Sequence, residues 1–194
     1  NMATLFVDKI DPQSGTSLEI GSSGDTISVP SGATINLSNA TQTGVGGTNT
    51  PAFEAEVSSD QVPSNNTDTK IQFNNEIYDT NNAYDNSSNY RFTPQTAGKY
   101  FAYTKVRCQS SSTSQLADAG LKIRKNGADV VETFTLFRNN YEQAHTVATY
   151  SVIDMNGSSD YLEVYGKIRV ASGNVAGFIG GSRRSTFGAY KIIE

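Results

Sequence analysis

The chain has 194 residues, 36% hydrophobic and only 18% charged, with a net charge of −4 and a pI near 5.0. That balance offers no basic field to a phosphate backbone, so nucleic acid is not an expected partner. No apolar run approaches the roughly 18 residues of a membrane span, and ten Tyr and nine Phe set the chain apart from disordered sequences.

The N-terminus, from Asn1 through Asp8, lacks a basic segment followed by a long apolar run, so the expectation is synthesis in a cytosol without a secretory signal. Leu18-Glu19-Ile20, Ile27-Ser28-Val29 and Ile35-Asn36-Leu37 then recur at intervals of nine and eight residues. Turn residues separate them, Gly21 to Asp25 and Pro30 to Ala33, so each doublet predicts a short β-rung. Three rungs cannot close a dry core alone, which points to burial against other copies in a trimeric β-prism or triple-stranded stalk. Residues 1–40 are assigned to this stalk and attachment segment, 41–50 to a Gly/Thr-rich linker, and 51–194 to a head. The boundary is also chemical: Phe6 is the only aromatic residue before Phe53.

The head alternates at period two, and no window of a dozen residues carries a helical apolar stripe. Strands are predicted over 52–57, 70–73, 90–93, 99–108, 121–125, 133–137, 146–155, 161–170 and 186–193. In 99–108, Tyr100, Ala102, Thr104, Val106 and Cys108 share one face. Asn126-Gly127 and Asn156-Gly157 predict tight hairpins. Short strands at this spacing indicate an all-β sandwich or jelly roll.

Phe73-Asn74, Tyr78-Asp79, Tyr84-Asp85, Tyr90-Arg91-Phe92-Thr93-Pro94 and Ala97-Gly98-Lys99-Tyr100 resemble, in order, the signature of the complement C-one-q globular head, whose jelly-roll relatives include the tumour-necrosis-factor family. Leu121 to Gly127, Tyr161 to Tyr165 and the closing run Ser185 to Ile193, with Phe187 and Tyr190, are similar to its later strands. The resemblance covers roughly residues 51–194 and implies a ten-stranded jelly roll assembled as a homotrimer. The glycines show no period of three, so the rung segment stands where a collagen stem would be. The leader, Thr4 to Ile10 followed by the rungs, resembles those of bacteriophage tail-fibre and virion-surface proteins.

Candidate chemistry is sparse. His145 is the only histidine and Cys108 the only cysteine; no nucleophile motif surrounds His145, and no second His or Cys completes a zinc site, so no catalytic residue is assigned and an enzyme is not expected. Asp79 and Asp85 lie in an oxygen-rich loop able to hold calcium, although Asx turns explain the same residues. Arg138, Asn139, Asn140 and Tyr141, with Arg183 and Arg184, are the most ligand-like loop residues, because an aromatic face flanked by amides and charges suits sugar rings. The Ser/Thr-rich run Gln109 to Gln115 is read as a loop.

These readings converge on a phage virion structural protein, on the tail or the capsid surface. Residues 1–40 would attach it to other virion proteins, and its trimeric head would adhere to a host glycan or receptor. The alternatives are a purely structural trimer that stabilises a capsid or fibre joint, and a secreted lectin of the complement-head type.

Overall fold

The computed structural model describes residues 9–40, 48–137, 141–171 and 175–193. The chain divides into two units, Asn1–Val45 and Gly46–Glu194. In the first, the described residues form no strand. Backbone bonds close turns from Asp25 N to Ser22 O, Ala33 N to Pro30 O and Ala40 N to Leu37 O, and Gly24 and Gly32 take positive φ within the first two. The apolar doublets predicted as rungs lie between these turns without forming strands, and Leu18, Ile20, Ile27, Val29, Ile35 and Leu37 all remain 37% to 63% exposed.

The second unit is an antiparallel sandwich with no helix among the described residues. Its strands are β1 (Ala52–Glu56), β2 (Thr69–Lys70), β3 (Asn75–Asp79), β4 (Tyr84–Asp85), β5 (Arg91–Phe92), β6 (Ala97–Ser110), β7 (Leu116–Lys125), β8 (Ala128–Leu136), β9 (Ala144–Asn156), β10 (Leu162–Val170), β11 (Ala176–Phe178) and β12 (Thr186–Lys191). One sheet, here sheet A, places β9 on one edge of β6 and both β12 and β11 on the other, with β1 and β3 beyond β12. Sheet B runs β4, β5, β10, β7, β8, and β2 shares with β5 the same edge of β10. Because β11 and β12 line up along one edge of β6, and β2 and β5 along one edge of β10, each sheet is five strands wide. Twelve ladder segments therefore fill the ten positions of the expected jelly roll.

Period-two burial builds the core as the sequence predicts. Tyr100, Ala102, Thr104, Val106 and Cys108 of β6 all point inward and are buried. Phe53 stacks on Tyr84 and Phe92, each 4.5 Å between centroids, and meets Phe187 edge-on at 5.0 Å. Such ring pairs contribute about 0.5–1.5 kcal/mol each beyond burial. Phe73, Phe92, Tyr100 and Phe187 thus belong to the core, and Pro94 is buried beside it. Tyr190, grouped with them in the sequence, faces outward on sheet A, where its ring meets Phe101 at 5.6 Å. Tyr90 takes φ 50° at the approach to β5, and Gly98 takes φ 136° under the Lys191 side chain, which lies 2.7 Å from where a Cβ would stand.

Three expectations change. The predicted strand 70–73 pairs only through Lys70; Ile71 and Phe73 are fully buried but lie outside any ladder. Strands β3, β4 and β11 were not predicted, since each is short and offers at most one or two inward apolar residues. Asn126 and Gly127, both at positive φ, do form a two-residue hairpin, with Lys125 paired to Ala128. Asn156-Gly157 does not, because Asn156 Oδ1 instead accepts from the amides of Ser158, Ser159 and Asp160 and draws out a longer loop.

Candidate interaction surfaces

The register fixes two ends of the sandwich. Ala52 pairs with Tyr190, which pairs with Phe101, which pairs with Val152, so the chain enters β1 at this end. The turns 126–127 and 157–161 lie here as well. At the opposite end, Cys108 pairs with His145 and Val170 with Leu116, and the connections 57–68, 111–115 and 179–185 gather there, beside Phe137, Tyr141 and Ala171.

Tyr141, Arg183, Arg184 and the predicted Ser/Thr loop therefore share the end opposite Ala52, while Arg138, Asn139 and Asn140 lie outside the described residues. The structure does not merge them into one site. Tyr141 precedes Glu142, which bridges to Leu116 on β7. Arg183 sits over sheet A at φ 53°, donating its amide to Glu56 Oε2 (2.7 Å), with its guanidinium 4.0 Å from Glu54. Arg184 donates to the Gly180 carbonyl at 3.3 Å.

The two candidate calcium ligands cap separate turns. Asp79 accepts from the amides of Asn81 and Tyr84 at 3.1 and 2.7 Å. Asp85 accepts from the amides of Ser88, Ser87 and Asn89, and these bonds hold its carboxyl well below the usual carboxylate range. Among the described residues no group of three or more His, Cys, Asp or Glu side chains is placed to hold a metal. Cys108 lies opposite His145 on the neighbouring strand, but burial pushes its thiol up to about 12, so the reactive thiolate is disfavoured. His145 packs against Phe137 and pairs through Nδ1 with Glu142 at 3.3 Å.

Sequence reasoning missed the most conspicuous surface. On the outer face of sheet A, Phe101 meets Tyr103, Tyr150 and Tyr190 at centroid distances of 6.1, 5.8 and 5.6 Å. Tyr150 is 67% exposed, and Val152 and Tyr78 on the same sheet are also exposed. The signal was legible: Phe101 and Tyr103 alternate with the inward set of β6, so that strand carries aromatic residues on both faces. Beside the patch a cleft of about 410 Å³ is lined by Glu54, Tyr103, Lys105, Thr149, Tyr150 and Arg183. The Tyr103 hydroxyl donates to Glu54 Oε2 at 2.8 Å, and burial together with that carboxylate raises the phenol well above its ordinary range.

The outer face of sheet B is built differently. Lys122 Nζ lies 2.9, 3.1 and 3.7 Å from Asp68, Asp129 and Glu132. Arg124 binds Asp129 at 2.5 Å and lies 3.9 Å from the Tyr165 ring centroid. Lys70 pairs with Glu163 and Arg169 with Asp118. Arg91 covers Tyr161 at 4.6 Å and Lys167 covers Phe134 at 5.8 Å.

No family model and no curated protein matches the sequence. Solved structures do. The globular domain of zebrafish complement 1qA superposes with a TM-score of 0.52 at 14% identity, covering 74% of this chain and 98% of that one. The Eiger TNF of S. frugiperda gives 0.54 at 9% identity, covering 74% and 92%, and murine APRIL gives 0.53 at 8%, covering 73% and 98%. At such identities the likeness concerns architecture alone: the sandwich has the jelly-roll fold shared by complement globular domains and tumour-necrosis-factor ligands.

Proposed function

We propose that the chain is a virion surface protein of a bacteriophage, on the tail or capsid, that assembles as a homotrimer and adheres to host surface glycans or receptors without catalysing a reaction. The observation that carries the assembly is the aromatic patch on sheet A. A contiguous cluster of outward-facing rings on a sheet face, with Tyr150 exposed, marks an interaction surface. The occupant that fits is a second copy, since the exposed doublets of residues 18–37 need the same kind of cover and bear only Glu19 and Asp25 as charges, too few for like chains to repel. The jelly-roll likeness and the phage-like leader support the same reading.

Adhesion is assigned to the end opposite Ala52, where the described connections 57–68, 111–115 and 179–185 gather. Three copies present these loops together, so weak contacts gain avidity. The attachment role of residues 1–40 toward other virion proteins belongs to this proposal, as does the exclusion of nucleic acid and membrane as partners. Light scattering on the purified chain tests the assembly: the expected mass is about three times the 20.8 kDa protomer, and a stable monomer overturns it. Host-cell binding by that trimer tests adhesion. A trimer that leaves cells unbound, while particles lacking it lose physical stability, would instead support the purely structural reading.

A further inference from the structure

The outer face of sheet A changes character along β6. Phe101 and Tyr103 belong to the aromatic patch, whereas Lys105, Arg107 and Gln109 continue the same face toward the end opposite Ala52. At ~3.3 Å per residue, Arg107 stands roughly 20 Å beyond Phe101. There, Asp60, Arg107, Gln109, Ile179 and Arg184 line a cavity of about 300 Å³ whose wall is almost wholly polar.

Its frame is fixed by the backbone. The Arg107 N–H donates to Ser185 Oγ at 3.2 Å, the Arg107 carbonyl accepts from Ile179 N at 2.8 Å, and Ser185 Oγ donates to the Ile179 carbonyl at 2.7 Å. Gly180 lies so close to the Ser59 backbone that a Cβ would come within 2.6 Å of it, and its amide donates to Asp60 Oδ1 at 2.9 Å. The two guanidiniums are oriented by neutral acceptors, Arg107 Nε by Gln109 Oε1 (3.3 Å) and Arg184 by the Gly180 carbonyl (3.3 Å). Neither is in an ion pair among the described residues, whereas Lys70, Lys122, Arg124, Lys125 and Arg169 all are. The remaining N–H donors of two arginines thus border one cavity, and they call for an anion with planar or forked oxygens.

Asp60 narrows the class. A bare anion would be repelled by this carboxylate, while a molecule that couples an acid group to hydroxyls gives the arginines their acceptor and Asp60 its donors. We infer that this cavity binds the acid-bearing sugar of a surface polysaccharide, with Arg107 and Arg184 taking the carboxylate and Asp60 and the Gln109 amide taking ring hydroxyls. The inference rests on the adhesion reading and names its ligand class.

The test is an NMR titration of the purified full chain with glucuronate, glucose and inorganic phosphate, beside Arg107→Gln, Arg184→Gln and Asp60→Asn variants whose mass and melting match the parent. Glucuronate should bind, glucose should not, and each arginine substitution should weaken glucuronate roughly tenfold or more. Asp60→Asn should weaken glucuronate while strengthening phosphate. Equal binding of glucose and glucuronate, parent-like affinity in both arginine variants, or phosphate binding as tight as glucuronate in the parent would each overturn the inference. Failure of adhesion is separate: a chain that binds glucuronate through these arginines but no host cell keeps the site and loses the adhesion role, and cell binding untouched by the arginine variants does the reverse.

Discussion

The sandwich has two outer faces that solve opposite problems. On sheet B the rings are capped by cations, Tyr165 by Arg124, Tyr161 by Arg91 and Phe134 by Lys167, and Arg124 is held in turn by Asp129. On sheet A the rings of Phe101, Tyr103, Tyr150 and Tyr190 touch one another, and Tyr150 stands open. On sheet B charged side chains find partners within the chain and the exposed apolar residues of β8 stand apart from a ring cluster; on sheet A the outward rings form one contiguous apolar cluster. The core between them is the same, so the difference lies entirely in the residues that alternate outward.

The comparison breaks most sharply under a charge placed on each face. Tyr150→Arg should convert the expected trimer to a monomer by light scattering, whereas Val130→Arg, at an exposed position on β8, should leave the mass unchanged. Equal behaviour of the two variants would erase the distinction between the faces.

A smaller effect compares the glycine beneath a ring on each face. A Cβ at Gly188 would stand 2.5 Å from the Tyr103 ring and 2.9 Å from the Phe53 carbonyl oxygen; one at Gly120 would stand 2.4 Å from Phe134, with the nearest backbone atom at 3.4 Å. Backbone cannot retreat as an exposed ring can. Gly188→Ala should cost about 1–3 kcal/mol in chemical denaturation and Gly120→Ala less than about 1 kcal/mol.

Sheet B offers the next test. Asp68 and Asp129 hold the Lys122 ammonium above its ordinary pKa, but the network is partly open to water. Lys122→Met should destabilise by at most about 1 kcal/mol, with the difference shrinking in high salt. The smallest effect is expected from Asp160, whose carboxyl is held down to about 2 by bonds from Lys125 and Asn126. A depressed folded-state value means that its contribution is complete above pH ~4 and is lost as the pH falls through ~2. Asp160→Asn should therefore lower stability slightly and evenly above pH ~4 and flatten the acid limb of the stability profile.

Much of the fold was legible because period-two alternation reports burial directly. The inward set of β6 and the hairpin at Asn126-Gly127 needed no tertiary information. Strands such as Asn75–Asp79 and Ala176–Phe178 were not legible, because the first is mostly polar and the second is only three residues long and wholly buried, so neither shows a period-two alternation. Ile71 and Phe73 misled in the opposite way: their burial comes from the core they plug, not from a strand they belong to. The candidate site was least legible. Arg184 was singled out in its loop, but Asp60 and Arg107, which lie 47 residues apart in the sequence, become neighbours only when the segment after β1 folds beside the β11–β12 loop.

The pairing of β1 with β12 has a temporal meaning. Sheet A joins Ala52 to Tyr190 and threads β12 between β1 and β6, so it cannot close until nearly the whole head has left the ribosome. Contacts of such long range make for slow folding. The turn-punctuated segment of residues 9–40 emerges well before that, with its isoleucines and leucines already uncovered. Under the proposed trimer, copies made on neighbouring ribosomes of one messenger would meet through these segments while their heads are still incomplete, and assembly would begin before folding ends.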